Sequence, residues 1–86
     1  MPVLFEQNRK TLPQIYAIAC KYDGPLFKLK NTITNFYILD AYWSKGHFLD
    51  EEDEENTFYN AWGAFDEIFD IASRYSNYFD ELKPYI

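Results

Sequence analysis

Asp50–Tyr75 reads DEEDEENTFYNAWGAFDEIFDIASRY. It opens on six consecutive acids, Asp50-Glu51-Glu52-Asp53-Glu54-Glu55. Carboxylates favour the first turn of a helix, where they face the positive end of its dipole. Behind them Phe58, Ala61, Trp62, Phe65, Ile68, Phe69, Ala72 and Tyr75 recur at i, i+3, i+4 and i+7. That spacing is the apolar stripe of an amphipathic helix. It predicts one continuous helix over about Asp53–Ala72, with Trp62 and Phe65 in the core.

Upstream, Leu26, Leu29, Ile33, Phe36, Asp40 and Trp43 alternate steps of three and four, which suits a helix. Thr32, Ile33, Thr34, Tyr37 and Ile38 favour a strand instead. A helix over Asn31–Lys45 capped by Gly46 needs no strand partner, and the chain offers few. Further upstream, Thr11-Leu12-Pro13-Gln14 is a helix start: Thr11 can cap, Gln14 can reach back, and Pro13 is tolerated in the first turn. Ile15, Ile18, Ala19 and Tyr22 then share a face, and Gly24-Pro25 ends the helix. Val3-Leu4-Phe5 reads as a short strand or a hydrophobic anchor. Downstream, Ser76 or Asn77 is expected to cap a last short helix over Tyr78–Lys83, stopped by Pro84. These segments predict an all-α fold: a small bundle of three to four helices, with a short N-terminal or middle strand as the open alternative. No repeat or linker divides the chain, so residues 1–86 read as a single acidic helical domain.

Eight Phe, eight Tyr and two Trp in 86 residues exclude disorder for most of the chain. They also exceed what one small core needs, so some rings are expected at the surface. Cys20 is the only cysteine, so no intramolecular disulfide can form. Its apolar run, Ile15–Cys20, reads it as a buried small hydrophobe. No basic segment followed by an apolar one marks a signal peptide, and no run of about 18 apolar residues marks a membrane span. The expected compartment is cytoplasmic.

Charge is unevenly placed. Residues 1–46 carry six bases (Arg9, Lys10, Lys21, Lys28, Lys30, Lys45) against three acids (Glu6, Asp23, Asp40), a sum of +3. Residues 47–86 carry eleven acids against Arg74 and Lys83, a sum of −9. An acidic half of that strength repels nucleic acid and anionic membrane and attracts basic surfaces.

Motifs for catalysis are missing. His47, the one histidine, stands alone after Gly46, and no GxSxG, P-loop, GxGxxG or HExxH occurs. The acidic run is not an EF-hand: counted from Asp50, the required Gly falls on Glu55 and the required Glu on Ala61. Di-iron bundles need Glu-x-x-His pairs, which a single histidine cannot supply. No cofactor, metal site or direct nucleic-acid contact is expected, and the chain reads as a non-enzyme.

What the sequence does offer is an acidic helix face. Glu52, Glu55, Tyr59, Gly63, Asp66 and Asp70 step by three or four, flanked by Glu51, Glu54 and Glu67, and no Lys or Arg lies between Glu51 and Ser73. The stripe rises about 27 Å, and carboxylates one or two turns apart stand at spacings comparable to phosphates along a DNA strand. Without a partner it is a solvated face that keeps the chain soluble. In composition, mainly over residues 50–81, the chain resembles phage-encoded DNA mimics and the immunity proteins that neutralise toxin nucleases. The resemblance implies a small acidic inhibitor or neutraliser docking on the basic surface of a nucleic-acid-acting protein. The candidate partner-binding residues are Glu51, Glu52, Glu54, Glu55, Tyr59, Asp66, Glu67 and Asp70. The competing reading is an interaction or assembly protein whose surplus aromatics form a homodimer or an adaptor surface.

Overall fold

The computed structural model describes residues 11–86, and the chain is all-α. Three α-helices, α1 (Leu12–Lys21), α2 (Phe27–Lys45) and α3 (Glu51–Tyr75), are followed by a 3₁₀ segment, Asp80–Tyr85. No strand occurs among the described residues. The Val3-Leu4-Phe5 segment lies outside them.

α3 is the backbone of the bundle. Its 25 residues rise about 37 Å, close to the 43 Å long axis of the molecule. Asp50 is the N-cap: its carboxylate accepts the Asp53 N–H at 2.8 Å. The Asp53 carboxylate in turn accepts the Leu49 N–H at 3.0 Å and the Tyr42 hydroxyl at 2.9 Å. The last bond ties the end of α2 to the start of α3, and it raises the Tyr42 pKa because the neutral hydroxyl is the donor. Asp50→Ala should therefore cost about 1 kcal/mol in urea denaturation. No change at all would mean that the Asp53 bonds hold the turn by themselves.

The buried face of α3 is Thr57, Ala61, Ala64, Phe65, Ile68, Ile71 and Ala72. It is rotated from the expected stripe. At about 100° per residue, Trp62 lies some 60° beyond Phe65, on the flank of the helix, and it is 43% exposed. Placing Trp62 in the core was wrong. Its neighbours at that angle, Phe58 and Phe69, are only half buried, while Ala64 and Ile71 on the other side are covered.

α2 shows how the ambiguous middle segment resolves. Leu29, Ile33 and Phe36 are fully buried at i, i+4 and i+7, and only a helix puts those three on one side. The strand-prone Tyr37 and Ile38 are exposed. Thr32 and Thr34 donate their hydroxyls to the Lys28 and Lys30 carbonyls, at 2.8 and 3.0 Å, the local back-bond open to Thr inside a helix. α2 starts four residues earlier than Asn31, because the connection from α1 is itself helical in its bonding: Leu26 N–H donates to Tyr22 O, and Lys30 N–H to Leu26 O. It ends at Gly46, whose φ of +69° is the left-handed cap that glycine adopts without strain.

α1 contributes Leu12, Ile15, Ile18 and Ala19 to the core. Thr11 does not cap it with its side chain; its backbone is already right-handed helical. Cys20 lies on the outer side and is exposed, contrary to the burial expected from its apolar run. At the C-terminus, Ser76 and Asn77 sit in a turn, and the helix expected over Tyr78–Lys83 is instead the 3₁₀ segment, with Pro84 inside it and no side-chain cap. Leu82 is its buried anchor. Glu81 reaches back to α1, accepting from Lys21 Nζ at 2.8 Å and Tyr22 Oη at 3.0 Å, and those bonds lower its pKa.

Two of the described aromatic side chains, Phe36 and Phe65, are buried, and their rings meet at 5.4 Å. The rest of the core is aliphatic. The other rings lie on the rim, as their number led one to expect.

Candidate functional site

The α2–α3 turn gathers aromatic rings that are scattered in sequence. Tyr42 and Trp43 come from the last turn of α2, Phe48 from the connection, and Phe58, Tyr59 and Trp62 from α3. Centroid distances of 5.5 Å (Tyr42–Phe48), 5.4 Å (Trp43–Phe48), 5.4 Å (Trp43–Phe58), 5.4 Å (Phe58–Tyr59) and 6.5 Å (Phe58–Trp62) join them into one surface. Such spacings are those of favourable edge and offset ring pairs.

The first turns of α3 set carboxylates along this surface. A groove of about 330 Å³ is lined by Trp43, Glu51, Glu54, Glu55, Phe58 and Tyr59. Trp43 and Glu54 also line a neighbouring depression of about 420 Å³, with Ser44, Gly46 and Phe48. Four of the eight residues expected to bind a partner thus meet at one groove. Glu52 is exposed beside it.

The remaining three lie further along α3. Asp66, Glu67 and Asp70 are exposed, but Asp66 is about 16 Å from Glu55 along the helix axis. Tyr59 and Gly63 occupy the face between them, so the stripe is two acidic clusters and not an even ladder. Asp70 differs from the others, since it pairs with Arg74 at 3.1 Å. The absence of bases up to Ser73 had suggested that Asp70 went unopposed; the partner sits one residue beyond that window, at i+4.

Glu51, Glu52, Glu54, Glu55, Asp66 and Glu67 make no ion pair among the described residues. Asp50 and Asp53 are committed to the helix start. The ion pairs that do form are elsewhere: Lys21–Glu81, Lys30–Asp23, Arg74–Asp70 and Lys83–Asp80. They lie at the surface, Lys30 half-buried, and each is worth little. His47 is exposed in the turn. No group of three or more His, Cys, Asp or Glu among the described residues is placed to hold a metal ion. No helix of the described residues is long and apolar enough to cross a membrane.

Reading the sequence missed Trp43, Phe48 and Phe58 as parts of a surface. Phe58 and Trp43 had been assigned to helix stripes facing the core, and nothing local shows that the rings of two helices and a turn converge. The one available signal was surplus: more aromatics than a core of this size can cover. Comparison with protein-family models, curated proteins and solved structures finds no match to this chain.

Proposed function

We propose that the chain is a non-enzymatic binding protein, an inhibitor or neutraliser that docks the acidic face of α3 on the basic surface of a nucleic-acid-acting protein. The observation that carries this reading is the set of exposed carboxylates on one long helix that make no ion pair among the described residues, Glu51, Glu52, Glu54, Glu55, Asp66 and Glu67, beside exposed rings. Unopposed like charges destabilise a helix by a few tenths of a kcal/mol per pair. A basic partner would reverse that cost and accelerate its own encounter. Tyr59, 66% exposed, adds the amphipathic contact area that interfaces favour.

The test is capture from a cell lysate, followed by competition. The retained protein should be one that handles nucleic acid. Duplex DNA or RNA should displace it, and about 1 M salt, where screening acts within about 3 Å, should release it. A partner that ignores both nucleic acid and salt would overturn the reading.

A second reading has its own observation. α2 also carries apolar residues on its outer side: Phe27 and Ile38 are 59% and 63% exposed, and Leu49 in the following turn is 89% exposed. Those residues suit an assembly surface, self-associated or adaptor-bound. Salt separates the two readings, since apolar association survives salt that breaks charge-driven docking.

A further inference from the structure

Resting on the docking reading above, we infer that the groove between Trp43 and the first turns of α3 is an arginine site, taking one guanidinium from the basic partner. The groove combines the two surfaces a guanidinium uses. Trp43, Phe58 and Tyr59 supply ring faces and edges; Glu51, Glu54 and Glu55 supply carboxylates with no ion pair among the described residues. A guanidinium is planar and weakly hydrated, stacks on aromatic rings, and forks its N–H groups onto carboxylates. An ammonium is a compact, strongly hydrated point charge and exploits the rings less.

The groove has room for one side chain. At about 330 Å³ the groove is at the bottom of the range for small-molecule sites. Local electrostatics favour a cation despite the helix N-terminus. The helix dipole places roughly half a positive charge there, against three groove carboxylates with Glu52 alongside. Asp50 and Asp53 do not line the groove; one oxygen of Asp50 accepts the Asp53 N–H, and one oxygen of Asp53 accepts both the Leu49 N–H and the Tyr42 hydroxyl. The same carboxylates disfavour phosphate, which leaves a basic protein segment as the occupant.

The test uses capped peptides carrying arginines separated by glycine, with lysine and citrulline versions as controls. Trp62→Phe leaves Trp43 as the single tryptophan, so emission reports on the groove. The arginine peptide should shift Trp43 emission, bind about fivefold more tightly than the lysine peptide, and lose its effect when citrulline removes the charge. Amide and indole NMR shifts should centre on Trp43, Glu51, Glu54 and Phe58. The double variant Glu51→Gln/Glu54→Gln, checked for intact helix by circular dichroism, should weaken binding by about tenfold. Glu52→Gln/Asp66→Asn, outside the groove, should weaken it by less than about threefold. Equal affinity for arginine and lysine peptides, with both double variants equally damaging, would sink the arginine site while leaving charge-driven docking intact. Absence of any shift at Trp43 would also overturn it, and the lysate competition would still judge the docking reading separately.

Discussion

Phe36→Ala should bring the domain to the edge of unfolding. Phe36 is fully buried, and its ring faces Phe65 across the α2–α3 interface at 5.4 Å. Truncating a buried Phe costs about 3–5 kcal/mol, as lost transfer energy plus the cavity left behind. Small domains hold about 5–15 kcal/mol in all, and a short chain buries less of its surface than a long one. Phe65→Ala belongs to the same class, being 8% exposed. Trp62→Ala is the contrast: the ring is larger but lies on the flank, against Phe58, and its removal should cost about 1 kcal/mol. Urea titration followed by far-UV circular dichroism measures all three. Equal losses for Phe36 and Trp62 would mean that the buried face of α3 has been placed wrongly.

Glu52→Gln/Glu55→Gln/Asp66→Asn should stay folded and lose most of its affinity for the captured partner. The three substitutions keep side-chain shape and remove three charges that have no ion pair among the described residues. Asp70 is left in place because removing it would also free Arg74. Changes at exposed positions usually move stability by less than about 0.5 kcal/mol. If each charge contributes about 0.2–1 kcal/mol to docking, the affinity should fall by about 3- to 150-fold. Most of that should be in the association rate, since charge steers encounter, and the residual binding should respond weakly to salt. Surface plasmon resonance at several ionic strengths reads both quantities. A variant that is folded and binds as before would move the interface to the apolar side of α2.

The helices were legible because their signals are local. The period of Phe58–Tyr75 and the acids before it fixed α3 within a few residues, and Leu29, Ile33 and Phe36 outweighed the β-branched residues among them. Burial was less legible. Sequence gives the angle of a residue on its helix but not where the neighbouring helices pack, so Trp62 and Cys20, both beside true core positions, were placed inside. The bounds of the short C-terminal helix were misjudged because Pro84 reads as a stop, whereas a 3₁₀ helix accommodates it. In the candidate site, the carboxylates could be named from spacing on one helix. The groove could not, since Trp43 and Phe58 are fifteen positions apart and meet only when α2 and α3 pack antiparallel around the Gly46 turn. The Tyr42–Asp53 bond, which spans that turn, joins residues eleven apart with no periodic signal.

The exposed position of Cys20 gives the chain one chemically addressable thiol. A maleimide dye could be attached there to the natural sequence. Cys20 lies near Lys30, and Lys30 and Trp43 are separated by about 20 Å along α2. A label would therefore stand clear of the groove and could report on docking by energy transfer or anisotropy without touching that surface. The same thiol can couple two chains in air, so weighing the molecule in solution requires a reducing buffer to keep a disulfide pair from passing as an assembly.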